Sequence, residues 1–261
     1  FFSMGDYMNN LLFIVMHKEY QVPTFSPYKS ISVGPNKDKF KANYRDDTED
    51  NIANKNSFYC ELTAQYWVWK NIANRYDNIG LVHYRRFFAN SNTLFKKLLT
   101  DKNIQKYLSK FDIILPKKWY WNMTVAEYYY IAGQGKKKDL KTTRRAIEKY
   151  FPDYLSSFDK ILSQHSASYC NMMVTNRENF KKYTEWLFCI LEYVEENTDI
   201  SNYRSAEARI FGYLSEILLN VWVDHNQLKV KYLPMIQKEA SFKQRAKEQL
   251  QFRVREIRYK E

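Results

Sequence analysis

Glycine and proline are scarce, six of each in 261 residues. So few turn-formers exclude a collagen-like or low-complexity chain, and the glycines never gather into a phosphate-cradling loop or a G-x-G-x-x-G fingerprint. The H-E-x-x-H, C-x-x-C and G-x-S-x-G patterns are missing as well, which removes the common zinc-protease, thioredoxin-like and serine-hydrolase readings. The four histidines are scattered, so no zinc site is signalled by spacing. Three cysteines, Cys60, Cys170 and Cys189, lie far apart in apolar contexts and read as reduced core thiols. A cytoplasmic compartment is the expectation that follows. No run approaches the ~18 apolar residues of a membrane-spanning helix, and the opening FFSMGDYMNN shows no leader pattern.

What is abundant is aromatic and basic. With 22 Tyr, 17 Phe and 6 Trp, the chain offers many rings that pack on one side and hydrogen-bond or stack on the other. A formal charge of +12 implies anionic partners: phosphate of a nucleotide, nucleic acid, or an anionic membrane. Hydrophobic content of 45% excludes a disordered chain.

Apolar runs punctuate the sequence at strand length. LLFIVM (11–16) ends in His17 and Lys18, IGLV (79–82) ends in His83, Tyr84, Arg85 and Arg86, FDIILP closes on Pro116, and SYCNMMVT forms a fourth run. Between them lie helical patterns: Ser57 to Ala73, an exposed basic stretch from Thr93 to Lys110, two helices around Gly133-Gln-Gly135, Glu178 to Val194, and Tyr203 to Trp222. The segment VPTFSPYKSISVGPNK breaks and turns repeatedly. Alternating strands and helices predict an α/β fold with a mostly parallel sheet flanked by helices. Ligands of such sheets sit beyond the carboxyl ends of the strands, so His17 and the His83 cluster are expected to face one crevice.

At the second strand end, His83-Tyr84-Arg85 stands where GT-A glycosyltransferases place an Asp-x-Asp and a divalent metal against the donor diphosphate. Guanidinium groups can supply the same positive charge. No metal ligands are assigned; manganese or magnesium remains an open alternative without an Asp-x-Asp to hold it. On strand alternation Arg85 shares a face with His83 and is the expected diphosphate ligand.

The stretch DDTEDNIANKNSFYCELTAQYWVWKN followed by IGLVHYRRFF closely resembles the signature of a bacterial family first catalogued as a domain of unknown function. Its members occur in capsule, exopolysaccharide and lipopolysaccharide gene clusters and are classed as glycosyltransferases. NMMVTNRENFKKYTEWLFCIL and RIFGYLSEILLNVW match further, so the resemblance runs from about Leu11 to about Pro234. It implies a GT-A-like (Rossmann-like) single domain over 11–236. The implied activity is transfer of a hexosyl unit from a UDP-sugar, of galactose or galactofuranose type, to a glycan or lipid-linked glycan acceptor. Glu49 departs from the pattern, since relatives more often carry Gly in DDTGDNI.

Beside that resemblance, each residue also has an ordinary structural role. His17, Lys18, Lys55, His83, Tyr84, Arg85, Arg86 and Arg209 are candidates for the donor; solvated strand ends, packing and surface pairing are the alternatives. Glu61, in the first turn of its helix, is favoured there by the dipole whatever its function; the resemblance adds a donor-sugar hydroxyl. Asp46, Asp47 and Asp50 could bind sugar hydroxyls or a metal, with a solvated acidic loop as the alternative, and Asp50 with Asn51 is the donor candidate among them. Glu127 and Glu207 are candidate general bases, and Trp119, Tyr120, Trp121 and Tyr128 to Tyr130 a candidate acceptor lining or simply core. Residues 237–261 form an expected basic amphipathic helix, either a peripheral contact with the inner face of the cell membrane or a terminal helix docked on its own domain. Two other functions stay open: a nucleic-acid-binding protein, disfavoured because the charge is spread and no recognised module is present, and a sugar-binding homologue without turnover.

Overall fold

A computed structural model describes residues 8–90 and 97–237, with position 254 alone beyond them. Gln237, the first residue of the expected C-terminal helix, lies in a strand instead; the rest of that helix, apart from Val254, and the start of the basic stretch after Thr93 lie outside the described residues. A central mixed sheet runs in the order β10-β6-β9-β4-β1-β2-β3. Its strands are β1 (Asn10–Met16), β2 (Tyr28–Ser32), β3 (Tyr44–Arg45), β4 (Asn78–His83), β6 (Ile113–Pro116), β9 (Met173–Asn176) and β10 (Val230–Leu233). A short ribbon, β5 (Arg86–Phe88) with β11 (Met235–Gln237), extends β4, and β7 (Trp119–Tyr120) pairs with β8 (Ser166–Ala167).

β1 is parallel to β2 and β4, β2 to β3, and β6 to β10; along this seven-strand path β9 alone runs antiparallel to both its neighbours, β4 and β6. All seven residues of β1 are buried, so both faces of the sheet centre are covered, as its unbroken apolar run requires. Gly80 in β4 has a packing reason. A Cβ there would lie 2.5 Å from Leu12 Cδ2 and 2.6 Å from the Met173 carbonyl oxygen, so the β1, β4 and β9 backbones close up only around glycine.

The helices are α1 (Asn56–Tyr59), α2 (Leu62–Asn71), α3 (Asp101–Leu108), α4 (Val125–Glu127), α5 (Lys137–Tyr150), α6 (Leu155–Ser163), α7 (Arg177–Glu196) and α8 (Ile210–His225). α7 packs on β4 and β9, its Phe180 edge-on to Phe13 of β1 at 6.2 Å. α3 packs on β6 and β9 behind an N-terminal capping box at Thr100 and Asn103.

Three expectations change. The single helix over 57–73 is two, because Cys60 takes φ 53 and ψ −126 and breaks the ladder between α1 and α2. The turn-rich segment after Val22 contains a strand, β2, pairing with β1. The last long helix starts at Ile210 rather than Tyr203, after a 3-10 turn Glu207–Arg209.

Candidate active site

The parallel register sets Val15 of β1 beside His83 of β4, so the chain leaves both strands at one edge of the sheet. After β1 it runs into His17 and Lys18. After β4 it reverses through Tyr84 and Arg85 and returns as β5, pairing His83 with Arg86. Strand alternation would have put Arg85 on the His83 face; the reversal gives that place to Arg86, because residues opposite each other in an antiparallel pair share a face.

Tyr84 is the hub of this edge, 5% exposed. His17 and Tyr20 meet its ring edge-on at centroid distances of 5.0 and 5.3 Å, and the His17 Nε2 and Tyr84 hydroxyl are 3.5 Å apart. The Lys18 ammonium and the Arg85 guanidinium lie 5.6 and 5.1 Å from its centroid. His17 titrates below its ordinary range because it is partly buried and because Lys18, Arg85, Arg209 and His83 all repel its proton. Lys18, Arg85 and Arg209 thus act on His17, and Arg85 and Arg86 on His83.

The floor is built by β9's approach and the start of α8. His83 Nε2 lies 2.6 Å from the Cys170 carbonyl, which makes it the donor and fixes the tautomer. Burial holds His83 below its ordinary value against the opposing pull of Glu61 and that carbonyl, so the ring is neutral near pH 7. The backbone N–H of Cys170 donates to Glu216 Oε1 at 2.8 Å. Asn171 Nδ2 donates to Glu61 Oε1 at 2.6 Å and to the Gly212 carbonyl at 3.0 Å, while the Ser215 hydroxyl donates to Asn171 Oδ1 at 3.0 Å. One residue thereby clamps Glu61 to α8. Cys60, Cys170 and Asn171 all carry left-handed backbone, at φ 53, 79 and 49. Strain of this kind persists only where the surroundings over-determine it, and here three such residues adjoin one cluster.

Glu216 was not legible in the sequence as a site residue, and it has the most perturbed carboxyl here. Burial and the neighbouring Glu61 push its pKa up to about 8, opposed by the Cys170 N–H, Arg86 and Arg209. Glu216 and His83 both keep accessible surface although they lie deep within the protein mass, as groups on a crevice floor do. Arg209 Nε lies 3.1 Å from Cys60 Sγ, whose thiol is pushed up to about 11 by burial and Glu61 and is therefore neutral.

The remaining candidates are engaged elsewhere. Asp50 accepts from the Tyr66 hydroxyl at 3.1 Å, and Asn51 accepts the Ala53 N–H at 3.2 Å. Glu49, at φ 51, occupies a backbone position that glycine would adopt without strain. Lys55 pairs with Glu195 of α7 at 2.7 Å. Glu127 caps α4 in a box with Thr124, whose N–H it accepts at 2.8 Å and which lowers its pKa. Glu207 accepts the Arg204 N–H and side chain and pairs with Lys136 at 3.3 Å, which takes its pKa down to about 2. Carboxylates held this way are weak bases.

Asp46 is fully buried, accepts the Thr63 hydroxyl at 2.6 Å through Oδ2, and has no partner at Oδ1. Among the described residues no three His, Cys, Asp or Glu side chains come together as a metal-binding group. No described helix is long and apolar enough to cross a membrane. A cavity of about 690 Å³ opens at the far end of α8, lined by Lys118, Lys160, Gln164, Asp224 and His225, away from this cluster.

A mostly parallel central sheet with β9 as the one antiparallel strand of its main path, flanked by helices, is the arrangement of the GT-A-like α/β class. The chain superposes on WbbM, a bifunctional glycosyltransferase solved in its apo form, with a TM-score of 0.81 and 29% identity over 89% of this chain and 46% of WbbM. It thus spans about half the length of that protein. The mannosyltransferase Ktr4p from S. cerevisiae aligns at a TM-score of 0.38 and 9% identity over 87% of this chain and 70% of its own, too distant to carry an argument. No curated protein matches. The chain belongs to the family described as Domain of unknown function (DUF4422), whose model matches residues 11–227. That is the family to which its motifs pointed.

Proposed function

We propose that this chain is a glycosyltransferase moving a hexosyl unit, of galactose type, from a UDP-sugar to a bacterial surface-glycan intermediate. The observation that carries the reading is the convergence of Lys18, Arg85, Arg86 and Arg209 on the strand-end crevice, around two neutral histidines. Departure of UDP builds negative charge on the diphosphate, and cations already in place stabilise that charge without reorganising. Arg86 and Arg209 approach from different elements and suit opposite sides of the diphosphate, since a guanidinium binds phosphate oxygens in bidentate fashion. Glu61, held by Asn171, is the residue we assign to a hydroxyl of the donor sugar. A peripheral contact with the inner membrane face through 237–261 would bring the crevice to a lipid-linked acceptor.

The test is a thermal-shift and calorimetric series with UDP, UDP-galactose and UDP-galactofuranose, with and without manganese. UDP binding in wild type that weakens at least tenfold in Arg86→Ala and Arg209→Ala supports the reading. Equal affinity in all three proteins defeats it. Retention of generic DNA, lost steeply with salt, in place of UDP would favour nucleic acid binding.

A further inference from the structure

Resting on the glycosyltransferase reading, we propose that Glu216 is the general base toward the acceptor hydroxyl. The acceptor sugar then stacks on the aromatic platform of Trp119 and Tyr128, backed by Trp121 and Tyr169.

The geometry joins these groups through one short segment. β8 ends at Ala167, and the next residues lead from the rings to the carboxyls: Tyr169 enters the aromatic cluster, Cys170 gives its N–H to Glu216, and Asn171 gives its amide to Glu61. Trp121 stacks on Tyr128 at 4.3 Å and meets Tyr169 edge-on at 5.0 Å; Trp119 lies 6.3 Å from Tyr169. Trp119 and Tyr128 keep accessible faces, whereas Trp121 and Tyr169 are 8% and 9% exposed. The aliphatic face of a pyranose or furanose suits such rings. Tyr169 adds a second observation: its hydroxyl is buried without a hydrogen-bond partner. A group left so forfeits a hydrogen bond unless something arrives to make it, and a sugar hydroxyl can donate or accept. Glu216 is close enough to Tyr169 to raise its pKa, so platform and carboxyl adjoin. Arg86 and Arg209, the cations assigned to the diphosphate, are also close enough to Glu216 to favour its charged form.

The step balances as a single displacement. The acceptor oxygen forms a bond to the anomeric carbon, the bond from that carbon to the diphosphate oxygen breaks with its electron pair leaving on UDP, and the acceptor proton passes to Glu216. The product is inverted. The groups facing the Glu216 carboxyl are Glu61 from the α1–α2 junction, Cys60, Tyr169 and the Cys170 N–H and thiol, Arg86 from β5, and Arg209 and Tyr213 at the start of α8. Their balance leaves a base whose charged form increases as pH rises through about 8.

The experiment uses the full chain with UDP-galactose and UDP-galactofuranose as donors and α- and β-p-nitrophenyl galactosides as acceptor probes. Glu216→Gln keeps an oxygen for the Cys170 N–H, so it is expected to fold and to bind UDP within twofold of wild type. Transfer is expected to fall by about 10²–10⁴, the usual contribution of a general base. Wild-type kcat/KM rises with pH up to about 8 and that rise disappears in Glu216→Gln. Trp119→Ala raises the acceptor KM with donor affinity unchanged, and Lys160→Ala, in the distant cavity, changes neither. Transfer by Glu216→Gln at the wild-type rate, a retained anomeric configuration, or wild-type UDP binding without transfer to either galactoside overturns this inference while leaving the donor reading standing. Failure of wild type to bind any of the UDP compounds overturns both.

Discussion

Asp46 is the sharpest test of buried electrostatics in this fold. The Asp46 carboxyl is fully buried at the end of β3, accepts one hydrogen bond from Thr63 and has an oxygen with no partner. Burial raises its pKa from 3.8 to about 6, against the lowering effects of the Thr63 hydroxyl and Lys37. A pKa higher in the folded than in the unfolded chain favours folding fully below the unfolded value, and that advantage is lost as pH rises through the folded one. Ionised Asp46 therefore costs the folded state about 3 kcal/mol at neutral pH, at ~1.4 kcal/mol per tenfold. Roughly 1.5 kcal/mol of this cost builds up between about pH 5 and about pH 7.5. Asp46→Asn removes the charge and keeps an acceptor for Thr63. Urea unfolding of both proteins at the two pH values should show the variant's advantage growing by that amount toward pH 7.5. An advantage that stays constant with pH, or shrinks, would show that Asp46 is ionised throughout and that its burial has been misjudged.

Other substitutions probe separate parts of the account. Gly80→Ala drives a Cβ into Leu12 and the Met173 carbonyl and should cost about 1–3 kcal/mol or more by overpacking, seen as a lower Tm. Glu49→Gly releases a left-handed backbone strain and should raise stability by up to about 1 kcal/mol, measured by the same melts, with UDP affinity unchanged. Asn171→Ala removes the clamp between Glu61 and α8 and should destabilise by about 1.5–3 kcal/mol, since one of its bonds is to a carboxylate, while weakening UDP-sugar binding more than UDP binding.

Parts of this fold are written plainly in the chain. β1, β4 and β6 are buried segments that must read as apolar runs, and the parallel pairing of β1 with β4 brings His17 beside the Tyr84 ring. β2 escaped because Pro23 and Pro27 precede it and its exposed Lys29 interrupts the apolar pattern. The break at Cys60 escaped because its left-handed turn uses a residue with a Cβ where glycine would have announced it. Arg86 was ranked behind Arg85 because alternation was carried past a chain reversal that two ordinary residues, Tyr84 and Arg85, can make. Glu216 had a signal that periodicity overlooks. α8 is buried nearly all round, and a glutamate in such a helix needs a partner or a purpose. Asp50, Asn51 and Lys55 lie in a segment that matches the family; in the fold Asp50 meets Tyr66 of α2, Asn51 holds a local turn and Lys55 pairs with Glu195 of α7.

The central claim, that the cations at the ends of β1 and β4 hold the diphosphate of a sugar nucleotide, is tested most directly by calorimetric titration of UDP into wild type and into Arg86→Ala. Saturable one-to-one binding by wild type, weakened at least tenfold in the variant, is the predicted result. Undetectable UDP binding by wild type, or equal affinity in the two proteins, would contradict it.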